Sequence, residues 1–241
     1  MALSLKIRAN IQTPEQKRRY NEGLFTRVAT EYDGATRAMS LGRDQTWKRR
    51  MVDLLPQLST PNCVDLACGT GDLTAALAAR FPQGEIVGVD LTQAMVEVAR
   101  NRCRQPNVSF RVEDMCQTHI ADGWADVVTG SYALRNAPVL DDALREVRRI
   151  LKPGGSAAFL DFSKPPARWQ QALQFPLLKA WGGFWGLVLH GGPEHAYIAE
   201  SLRQFPDRVA LREQLARHGF RLQAARNCFG GMLEILVLVR E

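Results

Sequence analysis

The sequence predicts an α/β fold, a doubly wound and mostly parallel sheet of seven strands with an antiparallel hairpin at its C-terminal edge. Three observations predict it. Residues 62–162 alternate short β-rich runs with amphipathic helical stretches, the pattern of βαβ units. The first run ends in a turn of small residues, Ala67-Cys68-Gly69-Thr70-Gly71. The chain then finishes on two further strand-like runs joined by a short connection, which suits a hairpin.

Taken in order, the first five runs are NCVDLA (62–67), EIVGVD (85–90), NVSFRV (107–112), ADVVTGS (125–131) and SAAFLDF (156–162). Their near-continuous apolar character is that of parallel strands buried on both faces. Helical patterns lie between them near 72–80, 92–103 and 140–151. The last meets a strong stop at Lys152-Pro153-Gly154-Gly155, where a cationic turn, a helix-breaking proline and permissive glycines coincide. A helix over 207–218 and the strands FRLQAAR (220–226) and MLEILVLV (232–239) complete the pattern.

Two parts stand outside it. Residues 1–55 are read as a helical cap, helical over 14–55 and carrying Tyr20, Phe25, Tyr32 and Trp47. Residues 164–206, rich in Pro, Gly and Trp, form an insertion expected to cover a substrate. The whole chain, 1–241, reads as a single domain, and its 46% hydrophobic content is enough for a sizeable core.

The net charge of +6 permits attraction to nucleic acid or anionic lipid. Its densest clusters, Lys17-Arg18-Arg19 and Lys48-Arg49-Arg50, fall in helical patterns and are read as solvated helix faces, with a membrane-surface patch as the alternative. Five cysteines, an odd number without paired ligand spacing, predict neither a disulfide framework nor a metal site. The opening MALSLKIRAN shows no signal-peptide pattern, so none is expected, and no run of 18 apolar residues occurs. A cytoplasmic location is expected.

The most informative stretch is VDLACGTGDLT (64–74). Gly69 and Gly71 let the backbone turn sharply and approach a ligand closely, at the carboxyl end of the first strand, where open α/β sheets bind ligands. Asp72-Leu73-Thr74 stands where a dinucleotide fingerprint needs its third glycine, and no Gly-Lys-Ser/Thr follows to make a phosphate loop. Asp72, in the first helical turn, would repel a pyrophosphate yet tolerate a cationic amino-acid ligand. The second strand closes on Asp90, whose carboxylate can accept from both hydroxyls of a ribose or cap the next helix. The third runs out at Glu113-Asp114-Met115, which suits an adenine ring with its amine or a plain turn.

These stretches belong to an ordered set of motifs: VATEYDGATRAMSLGRDQTWKR (28–49), VDLACGTGDLT (64–74), GVDLTQAM (88–95), SYALRN (131–136), ALREVRRILKPGG (143–155), LDFSKP (160–165), YIAESLRQFPD (197–207) and Gly230-Gly231. Together they resemble the ubiquinone/menaquinone C-methyltransferases, the UbiE-like enzymes, over nearly the whole chain. The glycine motif with Asp90 marks only the class I methyltransferase superfamily; the later motifs are more specific. The resemblance implies a Rossmann-like fold and S-adenosyl-L-methionine as cofactor, its pocket lined by Thr70, Asp90, Asp114, Met115 and Ser131. Asp65, Gly69 and Gly71 of the turn, and Leu91 beside Asp90, complete the expected cofactor site. The implied acceptor is a small, lipophilic aromatic molecule of the demethylmenaquinol or ubiquinol type, methylated on carbon. The chain departs from the family at Cys228-Phe229-Gly230-Gly231, where a Leu-Thr-Gly-Gly-like run is usual, and in a glycine-rich loop before Tyr197. Both departures leave C- or O-methylation of another phenolic or natural-product molecule open.

Methyl transfer requires in-line alignment and exclusion of water. Methylation on carbon also requires an electron-rich ring, reached by ionising a neighbouring hydroxyl beside a cation, with a base to take the ring proton. Arg135 is expected to be that cation, an ion pair with a helix carboxylate such as Asp141 being the alternative. Tyr32 would give a hydroxyl to the ring oxygen or simply pack, and Tyr197 would line the pocket. Among the histidines, His119 reads as exposed and His218 as a helix-end residue, whereas His190 or His195 could be a base. The apolar stretch 173–192 is read as a core helix, or as a lid that touches membrane through Trp181, Phe184 and Trp185. No nucleic-acid partner is expected, since neither an RNA-binding module nor an Asn/Asp-Pro-Pro-Tyr/Phe motif occurs. A homodimer remains open, as does a non-enzymatic protein that binds the cofactor and acts through partners.

Overall fold

The computed structural model describes residues 7–190 and 196–241. The strands are β1 (Asn62–Leu66), β2 (Glu85–Asp90), β3 (Val108–Val112), β4 (Ala125–Ser131), β5 (Leu151–Phe162), β6 (Phe220–Cys228) and β7 (Leu233–Arg240). They form one sheet in the order β3-β2-β1-β4-β5-β7-β6. The first five pair in parallel, and β7 runs antiparallel to both β5 and β6.

The expected hairpin is present with its second strand inside the sheet. Composition explains the placement. Six consecutive residues of β7, from Leu233, are buried, whereas β6 is largely exposed between its ends. LEILVLV needs cover on both faces, while a strand carrying Arg221, Gln223 and Arg226 tolerates an edge. β5 begins earlier than the sequence predicts. Leu151 pairs with Ala125, the register shifts, and pairing resumes at Val127–Ser156. Lys152–Gly155 therefore bulge within a strand instead of preceding it, held by the Lys152–Asp126 ion pair at 2.6 Å.

Helices α1 (Pro14–Val28), α2 (Tyr32–Met39) and α3 (Asp44–Asp53) make the N-terminal cap. Thr13 and Gln16 close a reciprocal capping box on α1, with Pro14 in its first turn. The sheet is wound by α4 (Asp72–Arg80), α5 (Gln93–Arg102) and α6 (Leu140–Ile150), each within two residues of its predicted span. The insertion folds as α7 (Arg168–His190) and α8 (Ala196–Gln204), and α9 (Arg208–Arg217) leads into the edge hairpin.

Alternate strand residues feed two apolar layers. Val64, Val128 and Phe159 pack with Leu144 and Val147 of α6 on one face. Cys63, Val127 and Ile235 pack with Leu73 and Leu77 of α4 on the other, and Trp47, Met51 and Val52 bring α3 onto the same layer. A smaller cluster, including Leu24, Val28, Met95 and Tyr197, joins α1 to α5 and α8. Cap and insertion thus meet above the carboxyl ends of β1, β2 and β4. There the strand order reverses between β1 and β4 while the strands stay parallel, which is the ligand crevice of open α/β sheets.

Met51 is fully buried where α3 meets the sheet. Met51→Ala should cost about 2–5 kcal/mol in urea unfolding; a loss below about 1 kcal/mol would mean that this layer does not hold the cap.

Candidate active site

The turn after β1 is built from left-handed residues: Ala67 (φ 52°), Gly69 (φ 55°) and Gly71 (φ 85°). A Cβ at Gly71 would stand 3.1 Å from Ala99 Cβ and 3.3 Å from Phe110 Cζ, against α5 and β3. At Gly69 a Cβ would meet no protein atom within 4 Å, and Gly69 lines a cavity. The room a side chain would take there belongs to the cavity, so a ligand can lie against the backbone.

Asp90, buried at the end of β2, holds this turn in place. Its Oδ2 accepts from the Gly69 amide and its Oδ1 from the Thr92 amide, each at 2.9 Å. Burial raises its pKa, against the pull of these amides. Around it opens a cavity of about 650 Å³. It gathers six of the nine predicted cofactor residues: Gly69, Asp90, Leu91, Asp114, Met115 and Ser131. Ala67, Met95 and Pro138 add apolar wall. Asp114 accepts from the Cys116 amide at 2.9 Å and faces Arg18 at 3.2 Å. Asn136 donates to the Tyr132 carbonyl at 2.8 Å, and its buried Oδ1 has no partner among the described residues, a polar atom awaiting a donor.

Three predicted residues do not line this cavity. Asp65 is fully buried beneath the turn and accepts from Thr74 (2.7 Å) and Thr129 (3.0 Å); burial pushes its carboxyl up to about 6. Thr70 donates to Asp33 of α2 at 2.6 Å, tying the turn to the cap. Gly71 packs against α5. These positions shape the turn, and for them sequence proximity to the site was no guide to cavity contact. Asp72 is likewise committed elsewhere, to Arg102 at 3.0 Å and Lys48 at 3.7 Å. Its charge is met within the protein, so it does not set the charge of the ligand.

A second cavity, of about 1000 Å³, lies beside the first and shares Phe25, Tyr32, Tyr132 and Asn136 with it. Its walls are mainly apolar: Leu24, Val28 and Trp47 from the cap, Leu178 and Trp181 from α7, and Ile198 from α8. Arg135 is the charged residue of its lining. The Arg135 side chain is 4% exposed. Its Nε lies 3.5 Å from Asp161 Oδ1, its amide donates to Asp161 Oδ2 at 2.9 Å, and its guanidinium donates to Ser201. It lies over the rings of Phe162 (5.2 Å) and Tyr197 (5.7 Å), which favours a fixed cation. The alternative pairing with Asp141 is corrected: that carboxylate meets His218 at 2.7 Å and Gln214 at 2.8 Å, beside the C-terminus of α9.

Tyr32 lines both cavities and meets Phe25 edge-on at 6.1 Å. Burial pushes its hydroxyl up to about 12, so it stays protonated at neutral pH. Tyr197 lines the larger cavity against Tyr20, ring centroids 5.3 Å apart. His119 is exposed, as predicted. His195 and the side chain of His190 lie outside the described residues.

Sequence reading missed the residues behind these. Tyr132 stands between the cavities with φ 58°, an uncommon backbone state for an aromatic residue and one that costs about 1–3 kcal/mol. Its hydroxyl donates to Asp44 at 2.6 Å, and Asp44 pairs with Lys48 at 2.7 Å. Asp44 and Lys48 are both buried, as is Lys17, which donates to the Arg135 carbonyl at 2.9 Å. The basic clusters are therefore not uniformly solvated: Lys17 and Lys48 turn inward, while Arg18, Arg19, Arg49 and Arg50 are exposed. The available signal was helical phase, which sets one member of each cluster on the apolar side.

Among the described residues no helix is long and apolar enough to cross a membrane. Comparison with known proteins places the chain as follows. The ubiE/COQ5 methyltransferase family matches residues 12–238. The ubiquinone/menaquinone biosynthesis C-methyltransferase UbiE of Idiomarina loihiensis is 33% identical, over 91% of this chain and 90% of its own length. The demethylmenaquinone methyltransferase of Thermus thermophilus is 33% identical, over 86% of this chain and 96% of its own. Geranyl diphosphate C-methyltransferase from Streptomyces coelicolor, solved with geranyl diphosphate and S-adenosyl-L-homocysteine, shares the fold at a TM-score of 0.63 and 16% identity, over 81% of this chain and 79% of that one.

Two outcomes follow from the buried charges. Asp161→Ala would leave Arg135 buried without its counter-ion and should cost about 3–5 kcal/mol in denaturant unfolding. Lys17 is pushed down to about 8, first by burial and then by Arg135. Its folded pKa lies below the ordinary 10.5, so between these values the unfolded chain holds a proton that the folded chain lacks. This group therefore favours folding increasingly as pH rises from about 8 towards 10.5. Lys17→Met should remove that rise from the stability–pH curve, and an unchanged curve would contradict the assignment.

Proposed function

Because this chain belongs to the ubiE/COQ5 methyltransferase family, we propose that it is a methyltransferase whose acceptor is a lipophilic quinol precursor, methylated on a ring carbon. Its dependence on S-adenosyl-L-methionine and its small-molecule substrate follow from the family itself. The observation that carries the finer reading is the junction of the two cavities. The pocket around Asp90 opens beside a mainly apolar one with which it shares Phe25, Tyr32, Tyr132 and Asn136, and a single buried guanidinium stands in the wall of the latter.

The residues of the smaller cavity suit the cofactor. Asp90, oriented by two amides, would accept from the ribose hydroxyls, and Met115, Leu91 and Asp114 would hold the base and its amine. Ser131 and the unpartnered Asn136 oxygen offer acceptors for a cationic amino-acid portion, and Gly69 gives close approach of the backbone. Thr70, Gly71 and Asp65 would act through the shape of the turn. When bound, S-adenosyl-L-methionine supplies an electrophilic methyl group.

The chain's own part is to prepare the acceptor. Arg135, held by Asp161 and Ser201, would stabilise an ionised ring hydroxyl and so raise electron density at the neighbouring carbon. Tyr32, protonated throughout the physiological range, would donate to a ring oxygen and orient it. Tyr197 would pack the ring against Arg135. The apolar walls from the cap and from residues 164–206 would keep water away from the transfer and accept a prenyl tail. The five cysteines of the chain are free thiols, which suits a reducing cytoplasm.

One observation favours the second reading, C- or O-methylation of another phenolic molecule. Phe229, at the departure from the family's usual run, lines the acceptor cavity beside Trp47, ring centroids 5.6 Å apart. It takes up space that a smaller residue would leave.

Incubation with methyl-labelled cofactor should carry label into a membrane quinol extract; label confined to soluble phenols would replace the quinol reading with the second one. Asp90→Asn should weaken S-adenosyl-L-homocysteine binding about ten- to hundredfold in calorimetry, the worth of a hydrogen bond to a charged group. Arg135→Lys should lower kcat by about tenfold or more while that binding is retained. An unchanged kcat would remove Arg135 from the chemistry.

A further inference from the structure

The outer surface of α7 is apolar beyond anything the cavity beneath it requires. Trp169, Leu173, Leu177 and Phe184 are exposed to 67%, 60%, 57% and 56%. At about 100° per residue they fall within an arc of about 80° on one side of the helix. Ala180, also exposed, shares that arc, and exposed Pro176 stands at its edge. The opposite side holds Phe175 and Leu178, both buried, and contributes Leu178 and Gly182 to the acceptor cavity, which Trp181 reaches from beside the stripe. The helix is thus apolar on two faces, one spent on the cavity and one left to solvent.

This corrects the expectation about membrane contact. Trp181 is half-buried and donates its indole N–H to the Met39 carbonyl at 3.1 Å. Trp185 is half-buried between the rings of Trp181 (5.8 Å) and Phe184 (5.3 Å). Of the three aromatic residues, only Phe184 belongs to the exposed stripe. The Trp181–Met39 bond brings the end of α2 against α7, and Leu41, two residues on, is 60% exposed with φ 53°. An apolar side chain is held outward there in a backbone state that disfavours it.

The charges carried by the α7 segment have one sign. Between Asp161 and Glu194 the chain has no Asp or Glu, yet it has Lys164, Arg168 and Lys179. Arg168 and Lys179 are exposed and lie together on one side of α7, about 80–100° round the helix from the Trp169 edge of the stripe, and exposed Arg37 and Arg43 bracket Leu41 in the chain. An apolar ridge on a helix that carries cations and no Asp or Glu complements a surface that is anionic outside and apolar within. A contiguous exposed patch of this kind is uncommon on a protein with no use for it.

We propose that the Trp169–Leu173–Leu177–Phe184 face of α7, together with Leu41, docks this enzyme on an anionic lipid bilayer, so that the helix touching the membrane is also a wall of the acceptor cavity. The inference rests on the quinol reading for its purpose, since a prenylated acceptor resides in the bilayer and would pass from lipid to cavity along one helix.

The full chain is mixed with vesicles of phosphatidylcholine alone, or of phosphatidylcholine with phosphatidylglycerol, and floated on a density gradient. Binding is expected to the phosphatidylglycerol vesicles and to weaken with salt. Joint substitution of Leu173→Gln and Leu177→Gln should reduce it by roughly tenfold or more, and Arg168→Gln with Lys179→Gln should reduce it and flatten its salt dependence. Unfolding midpoints and methyl transfer to a detergent-dispersed short-chain quinol should not change in either variant. Failure of the parent to float, or equal flotation of the leucine variant, overturns the proposal. So does a leucine variant that converts a dimer to a monomer without affecting flotation, since the stripe would then serve a second copy of the chain. Flotation without methylation of any quinol refutes the substrate reading alone; methylation in detergent without flotation refutes the docking alone.

Discussion

The carboxylate of Asp90 and the Gly69 amide join the ends of two neighbouring strands, and the rest of the site depends on that bond. It ties the left-handed turn after β1 to the loop after β2 at 2.9 Å, while the Thr92 amide holds the other carboxylate oxygen. Burial disfavours this charge, and the two amides offset part of that cost. Each oxygen keeps lone pairs for a ligand, so the group that builds the crevice is also equipped to bind in it. A crevice at the strand-order reversal of a parallel sheet supplies the place; Asp90 supplies the shape.

Above this crevice the cap is positioned through buried polar contacts. Lys17 reaches the Arg135 carbonyl, Asn21 the Asn136 carbonyl at 2.8 Å, and Thr70 reaches Asp33. Asp44 and Lys48 pair in the interior beside Tyr132. Burial alone would lower Lys48, but Asp44, with Tyr32 and Asp72, more than offsets it and keeps the ammonium charged. Buried pairs of this kind add little net stability, yet they resist misplacement, because one partner left alone is costly. The apolar clusters hold cap and insertion down, and the polar contacts set where they sit, which matters for two cavities that share Tyr32 and Tyr132.

Arg135 shows how layers of support fix one functional group. Its backbone is held by Lys17 and Asp161, its guanidinium by Asp161 and Ser201, and its flat face by Phe162 and Tyr197. These residues come from the cap, β5 and the insertion. A cation restrained from so many directions reorganises little when charge develops nearby, which is the condition for electrostatic stabilisation in a dry site.

The sequence by itself determined the repeating βα order, the left-handed glycine turn, the acid at the end of β2 and the family, because each is a local pattern or an ordered set of motifs. Strand and helix spans came out within a few residues for the same reason: apolar periodicity and cap residues act over one or two turns. Only the tertiary structure decided that β7 lies inside the sheet, that Lys17 and Lys48 point inward, that Asp65, Thr70 and Gly71 support the turn without lining the cavity, and that Arg135 pairs with Asp161 instead of Asp141. It also decided that α7 exposes Trp169 and Leu177 while Trp181 turns towards the cavity. Every one of these depends on which side of an element meets another element far away in the chain. A sequence records how often an apolar side chain recurs, but a helix apolar on two faces does not record which of them the fold will cover.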